Sequence, residues 1–196
     1  ADIWCLHLAR LLQDHHGSIL KRVAGFDWSI GIDIDQPWKH AHKPLWKSAG
    51  GTIRALLRGR LAEVRERLAT YAGLSPDPYD TFSWLLERPE AASRFIFFVL
   101  DRSGRTSDCT HDPSSSVYAR MLRRLHAVAR LGLHPSYDSI TKAGLTAKEK
   151  KKLEGVIQGK TEDSRQHFLR VLLPQTFREL EQCGIRRDYS LAYADD

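Results

Sequence analysis

Asp33 and Asp35 stand two residues apart in Trp28-Ser-Ile-Gly-Ile-Asp-Ile-Asp35, so on a regular strand their carboxylates share one face. Two carboxylates that close repel unless a cation lies between or beside them. One can then hold a divalent metal while the other stays free as a general base. His134 follows a short apolar run in Gly-Leu-His-Pro-Ser-Tyr-Asp-Ser, and His167 lies in Ser-Arg-Gln-His-Phe-Leu-Arg. One carboxylate with two imidazoles from separate elements is a donor set suited to zinc or a similar ion. Plainer readings stay open at this point: acids in a strand-end turn, and hydrogen-bonded structural histidines. Asp138, four residues after His134, shares its face only if a helical turn follows.

The remaining histidines carry less. His15, His16 and His126 fall in helical stretches and His111 in a loop, while His40 and His42 follow the acidic pair as rim residues or spare ligands. There is no G-x-S-x-G elbow, P-loop or G-x-G-x-x-G, so serine hydrolase, nucleotide hydrolase and dinucleotide readings lack support. Cys5, Cys109 and Cys183 are odd in number and far apart, which excludes a zinc ribbon or a disulfide scaffold. Their spacing favours a reducing compartment, the cytoplasm before others.

The elements that must position these groups alternate in type. Apolar spacing predicts a helix over 4–21, a strand over 28–35 and a helical, arginine-rich stretch over 44–71 broken near Gly50-Gly51. Residues 80–86 read as a short helix capped by Asp80 or Thr81, and Phe95-Ile-Phe-Phe-Val-Leu100 as a buried strand. A polar loop covers 101–112. Then follow a helix over 113–130, a strand over 131–134 and a helix over 145–158, opened by a capping box of Thr146 and Glu149. Strands at 167–172 and 185–191 enclose a helix at 174–183 that begins with proline. This alternation argues for a parallel α/β fold, in which chemistry collects at the carboxyl ends of the strands. Asp33, Asp35, His134, Arg165, His167 and Asp188 all fall near such positions.

The balance of 42% hydrophobic and 28% charged residues in 196 is that of a globular protein. No run approaches the ~18 apolar residues of a membrane-crossing helix. The net charge of +6 lies on helical stretches such as 54–67 and 148–152, where arginine and lysine face outward. No basic patch interleaves with aromatics as a base-stacking platform would, so nucleic acid is not the expected partner.

The ordered blocks resemble those of the polysaccharide deacetylase (NodB-homology) superfamily of carbohydrate esterases. They are the acidic pair, His-Pro-Ser-Tyr, Arg-Gln-His-Phe-Leu-Arg and a final Asp-Tyr-Ser…Tyr-Ala-Asp, over about 30–196. The resemblance implies a distorted (β/α) barrel and a metal held by Asp-His-His. It further implies removal of acetyl groups from N-acetylated sugars, or hydrolysis of a related non-peptide C–N bond. Carried over, Asp33 resembles the base, Asp35 the ligand aspartate and His134 the first histidine of the family's His-[Ser/Thr]-x-x-His motif. Arg165 resembles the arginine that orients the base, and Asp188 the acid that anchors that arginine.

Two departures shape the expected site. Asp138 stands where the second motif histidine should be, with Pro135 in place of the hydroxyl residue, and His167 occupies a position usually held by proline. A lost ligand and a gained histidine suggest exchange, giving Asp35, His134 and His167 as ligands with Asp138 in reserve. The expected cofactor is a divalent metal, Zn2+ before Co2+ or another ion, and the expected substrate a carbohydrate or small amide. The family's late Leu-x-His acid has no counterpart in the sequence. The alternative is therefore a catalytically incomplete deacetylase-fold domain that binds carbohydrate. Residues 1–25 read as an N-terminal helix ending a preceding domain, and 26–196 as the barrel domain. A closed barrel commonly needs ~250 residues, so the chain is expected to be an incomplete barrel lacking its C-terminal strands.

Overall fold

The computed structural model describes residues 2–16, 28–43, 45–87, 93–102, 108 and 110–191. Five strands form one sheet in the order β1-β2-β3-β4-β5, every neighbouring pair parallel. They are β1 (Ile30–Ile34), β2 (Phe95–Leu100), β3 (Arg130–His134), β4 (Asp163–Ser164) and β5 (Arg187–Asp188). Helix α1 (Asp2–His16) precedes the sheet, and α2 (Leu45–Leu57), α3 (Leu61–Tyr71) and α4 (Phe82–Leu86) connect β1 to β2. Helices α5 (Ser116–His126), α6 (Leu145–Ile157) and α7 (Gln175–Gln182) make the later crossovers. Strands that pair in strict chain order, joined by helices, wind in one direction as in a β/α barrel. Among the described residues the sheet is open, with β1 and β5 at its edges. The expected α/β class is the one observed. No described helix is long and apolar enough to cross a membrane.

The register aligns Ile34, Val99, Leu133, Ser164 and Asp188 in a single row across the five strands. The two faces of the sheet differ sharply in chemistry. Ile32, Ile34, Phe95, Phe97, Val99, Leu131 and Leu133 point one way and join the core with Tyr118, Leu122 and Leu125 of α5 and Leu153, Val156 and Ile157 of α6. The alternate residues Gly31, Asp33, Phe98, Gly132 and His134 take the other face, as the period of two requires. There Phe98 is fully buried and lies across both neighbouring strands. A Cβ at Gly132 would stand 2.6 Å from its ring, and one at Gly31 3.1 Å. Two glycines thus make room for one aromatic ring. Tyr189 covers that ring from β5's side, with centroids 5.5 Å apart.

Three local expectations are corrected. Helix α2 runs unbroken through Gly50-Gly51 and ends instead before Gly59, whose φ of 66° makes the turn into α3. Gly51 serves packing: a Cβ there would lie 2.4 Å from Arg67 Nη1. The fourth strand is the polar pair Asp163–Ser164, not the apolar stretch 167–172. Asp163 is buried because Arg187 Nε donates to it at 2.6 Å and Arg187 Nη2 at 3.1 Å, and Tyr189 Oη donates at 3.3 Å. His167–Leu169 forms a 3-10 turn, with Phe168 and Leu169 at φ of 57° and 52°. Finally, the Thr146–Glu149 capping box does not form. Gly144 is the N-cap of α6, at φ 78°, and Glu149 faces inward. At α4 the N-cap is Thr81 without a side-chain bond, and Asp80 instead accepts from Trp38 Nε1 at 3.3 Å. The expected extension of the first helix beyond residue 16, and residues 103–107 and 109 of the loop, lie outside the described residues.

Candidate metal centre

Because all five strands are parallel, their carboxyl ends meet at one edge of the sheet. Asp33 sits within β1 and Asp35 just past its end, His134 closes β3, and Arg165 to His167 follow β4. The last of these segments is stapled to β3. Arg165 N donates to Leu133 O at 3.0 Å and His167 N to Pro135 O at 3.2 Å. The backbone oxygen of Arg165 faces His134 Nδ1, and Gln166 N donates to Ser190 Oγ at 2.8 Å. These bonds bring His167 beside His134, their ring centroids 4.9 Å apart. The positive-φ residues then turn the chain away, leaving the Phe168 ring exposed against His167.

Asp35, His134 and His167 each offer one ligand atom, all within 4.8 Å of one another. His134 Nε2 lies 3.4 Å from Asp35 Oδ1, His167 Nδ1 lies 3.6 Å from the same oxygen, and the two nitrogens are 3.0 Å apart. Zinc bonds of about 2.0–2.1 Å at tetrahedral angles separate ligand atoms by roughly 3.3 Å. The triangle fits a tetrahedral ion with one position open. Its donors, two imidazoles and a carboxylate, also suit zinc better than calcium or magnesium, which favour oxygen. His134 beside it holds the Asp35 carboxyl below its ordinary range, against burial, which pushes it up, and with a smaller pull from His167.

The rest of the expected site divides. Arg165 Nη1 lies 3.6 Å from Asp33 Oδ1, so these two come together beside the triangle. Asp188 is placed otherwise: it accepts from Ser164 Oγ at 2.6 Å and Ser190 N at 3.0 Å, supporting the serine that holds Gln166. Asp138 takes Lys142 Nζ at 2.6 Å and is not part of the triangle. His40 is buried against Glu66, its Nε2 2.7 Å from Oε1, and His42 packs edge-on to Trp38.

Two buried acids lie near the imidazoles that sequence pattern alone does not single out. Asp108 is fully buried, with Oδ1 3.7 Å from His167 Nε2 and accepting from Tyr137 N at 3.0 Å. Glu149 accepts from both the backbone N and the hydroxyl of Ser136, two residues past His134. Burial pushes its carboxyl up to about 7. Asp108 lies in a polar loop without periodicity, which gives no signal. For Glu149 the signal existed but pointed elsewhere, since Thr-x-x-Glu before an apolar run also spells a helix cap.

No family model and no curated protein matches the chain. Among solved structures, it aligns with a chain from Mycobacterium smegmatis provisionally described as a polysaccharide deacetylase. The likeness is distant. Identity is 14% and the TM-score 0.49, over 88% of this chain and 56% of the other. At that level neither fold nor activity follows from the alignment, and the site stands on its own geometry.

Proposed function

We propose that this chain is a metal-dependent hydrolase of the polysaccharide deacetylase type, removing acetyl groups from an N-acetylated sugar or hydrolysing a related non-peptide C–N bond. The observation that carries the reading is the convergence of Asp35, His134 and His167 at distances matching a tetrahedral donor set. The ordered sequence blocks that resemble the family support the same reading. A zinc or similar ion held there would acidify a water and polarise a substrate carbonyl. Asp33 is the base that accepts the water's proton, and Arg165 orients it from 3.6 Å. Asp188 and Ser190 position the segment that carries Arg165 and His167. Phe168 presents an exposed aromatic face beside His167, and Arg170 stacks over the neighbouring Tyr137 ring at 3.8 Å. Such flat faces suit a sugar ring.

Asp33→Asn separates chemistry from metal binding. Zinc content is expected to stay at the wild-type level while acetate release from an acetyl-glycan panel falls by roughly 10²–10⁴. Retained turnover contradicts the base assignment. Wild-type protein that binds zinc yet releases no acetate from any member of the panel supports the carbohydrate-binding alternative.

A further inference from the structure

We infer that Asp108 is a positioning residue that fixes the tautomer of His167, so that its Nδ1 is the nitrogen offered to a metal; this rests on the metal reading above. A neutral imidazole carries one N–H and one bare nitrogen, and only the bare one can ligate. For both to hold one ion, the two nitrogens that face each other across 3.0 Å, His134 Nε2 and His167 Nδ1, must be bare. Their protons belong on the far sides, and each far side has an acceptor that cannot donate. His134 Nδ1 faces the backbone oxygen of Arg165. His167 Nε2 faces Asp108 Oδ1 at 3.7 Å.

The placement of Asp108 agrees with this role. It is fully buried, with Oδ1 3.7 Å from the far nitrogen of an imidazole already turned toward Asp35. His167 thus lies between two carboxylates, Nδ1 3.6 Å from the exposed Asp35 and Nε2 3.7 Å from the buried Asp108. Outer acceptors of this kind orient ligating histidines and raise their basicity, and losing one commonly costs 10–100-fold in metal affinity. Asp108 also accepts from Tyr137 N, so a purely structural role is the competing explanation.

Asp108→Asn and Asp108→Ala distinguish the two. Asparagine keeps an oxygen for Tyr137 N but loses the charge. Zinc affinity, measured by chelator competition, is expected to fall about 10-fold in Asp108→Asn and toward 100-fold in Asp108→Ala. Long-range 1H–15N spectra of the zinc-loaded wild type should place zinc on Nδ1 of His167 and Nε2 of His134. In Asp108→Ala the His167 pattern should change while that of His134 holds. Wild-type affinity in both variants overturns the inference, as does zinc on Nε2 of His167 in the wild-type protein. Equal disturbance of both histidines, with lowered thermal stability in both variants, overturns it in favour of the structural role. Failure of the wild type to bind zinc removes the metal reading and this inference together, an outcome distinct from the others.

Discussion

The two imidazoles and the two carboxylates of the site are held in opposite ways. His134 and His167 are 3% and 7% exposed at the side chain; the far nitrogen of His134 faces the backbone oxygen of Arg165, and that of His167 lies 3.7 Å from Asp108 Oδ1. Asp33 and Asp35, 31% and 56% exposed, stand at the open end of an edge strand. The difference follows from the sheet. β3 has neighbours on both sides and a segment stapled to its end, whereas β1, among the described residues, has a neighbour on one side. The imidazole side is thus preorganised by packing, and the carboxylate side is left open to solvent.

The largest expected effect probes the asymmetry directly. His134→Ala or His167→Ala should weaken zinc binding by more than the roughly 100-fold that loss of an outer partner costs. Asp35→Ala removes the one carboxylate donor on the exposed side and should leave measurable residual binding on the two imidazoles. Chelator competition on the three variants ranks them. An Asp35→Ala loss as deep as either histidine's would erase the distinction between the two sides.

Next in size is a pH effect confined to the imidazole side. Folded Glu149 keeps its proton up to about pH 7, against an ordinary value of 4.5. Between those values the native state holds a proton that the unfolded chain releases, so stability falls as pH rises. The contribution is full below pH 4.5 and lost above pH 7, and amounts to about 3 kcal/mol. Glu149→Gln should flatten that limb when denaturation midpoints are compared at pH 5 and pH 8. A wild-type slope in the variant would show that Glu149 does not govern the loop behind His134.

What the sequence disclosed follows from how each element is stabilised. Phe95–Leu100 is strongly apolar and all six residues are buried, so its burial could be read directly. The rule about strand ends led to Asp35 and His134 for the same reason: β1 and β3 are recognisable strands. β4 was not recognisable, because a strand of aspartate and serine is held by ion pairs and hydroxyls from other segments, and no local periodicity encodes those. Phe168 and Leu169 carry an apolar signal that spells a strand, yet their positive φ makes them a turn. Such conformations cost about 1–3 kcal/mol and persist only where the surroundings impose them. Asp108 was invisible for a similar reason, since its partners lie about 29 and 59 residues away along the chain.

Two glycines extend the comparison from the site to its scaffold, with smaller effects of opposite sign. Gly132→Ala drives a Cβ to 2.6 Å from the Phe98 ring and 3.1 Å from Asp163 O, beneath His134. It should destabilise by about 1–3 kcal/mol. Gly155→Ala, on an exposed position of α6 with nothing within 4 Å, should instead stabilise by about 0.5–1 kcal/mol. Urea denaturation of both variants checks the pair, and equal effects would contradict the close packing assigned to the sheet's inner face.

The assignment of a metal to Asp35, His134 and His167 is open to one direct measurement. Anomalous scattering at the zinc edge, from crystals of the protein grown with zinc, tests it most directly. The account predicts a peak about 2.0–2.2 Å from Asp35 Oδ1, His134 Nε2 and His167 Nδ1. No peak at these three atoms, or one bound by other side chains, would contradict it.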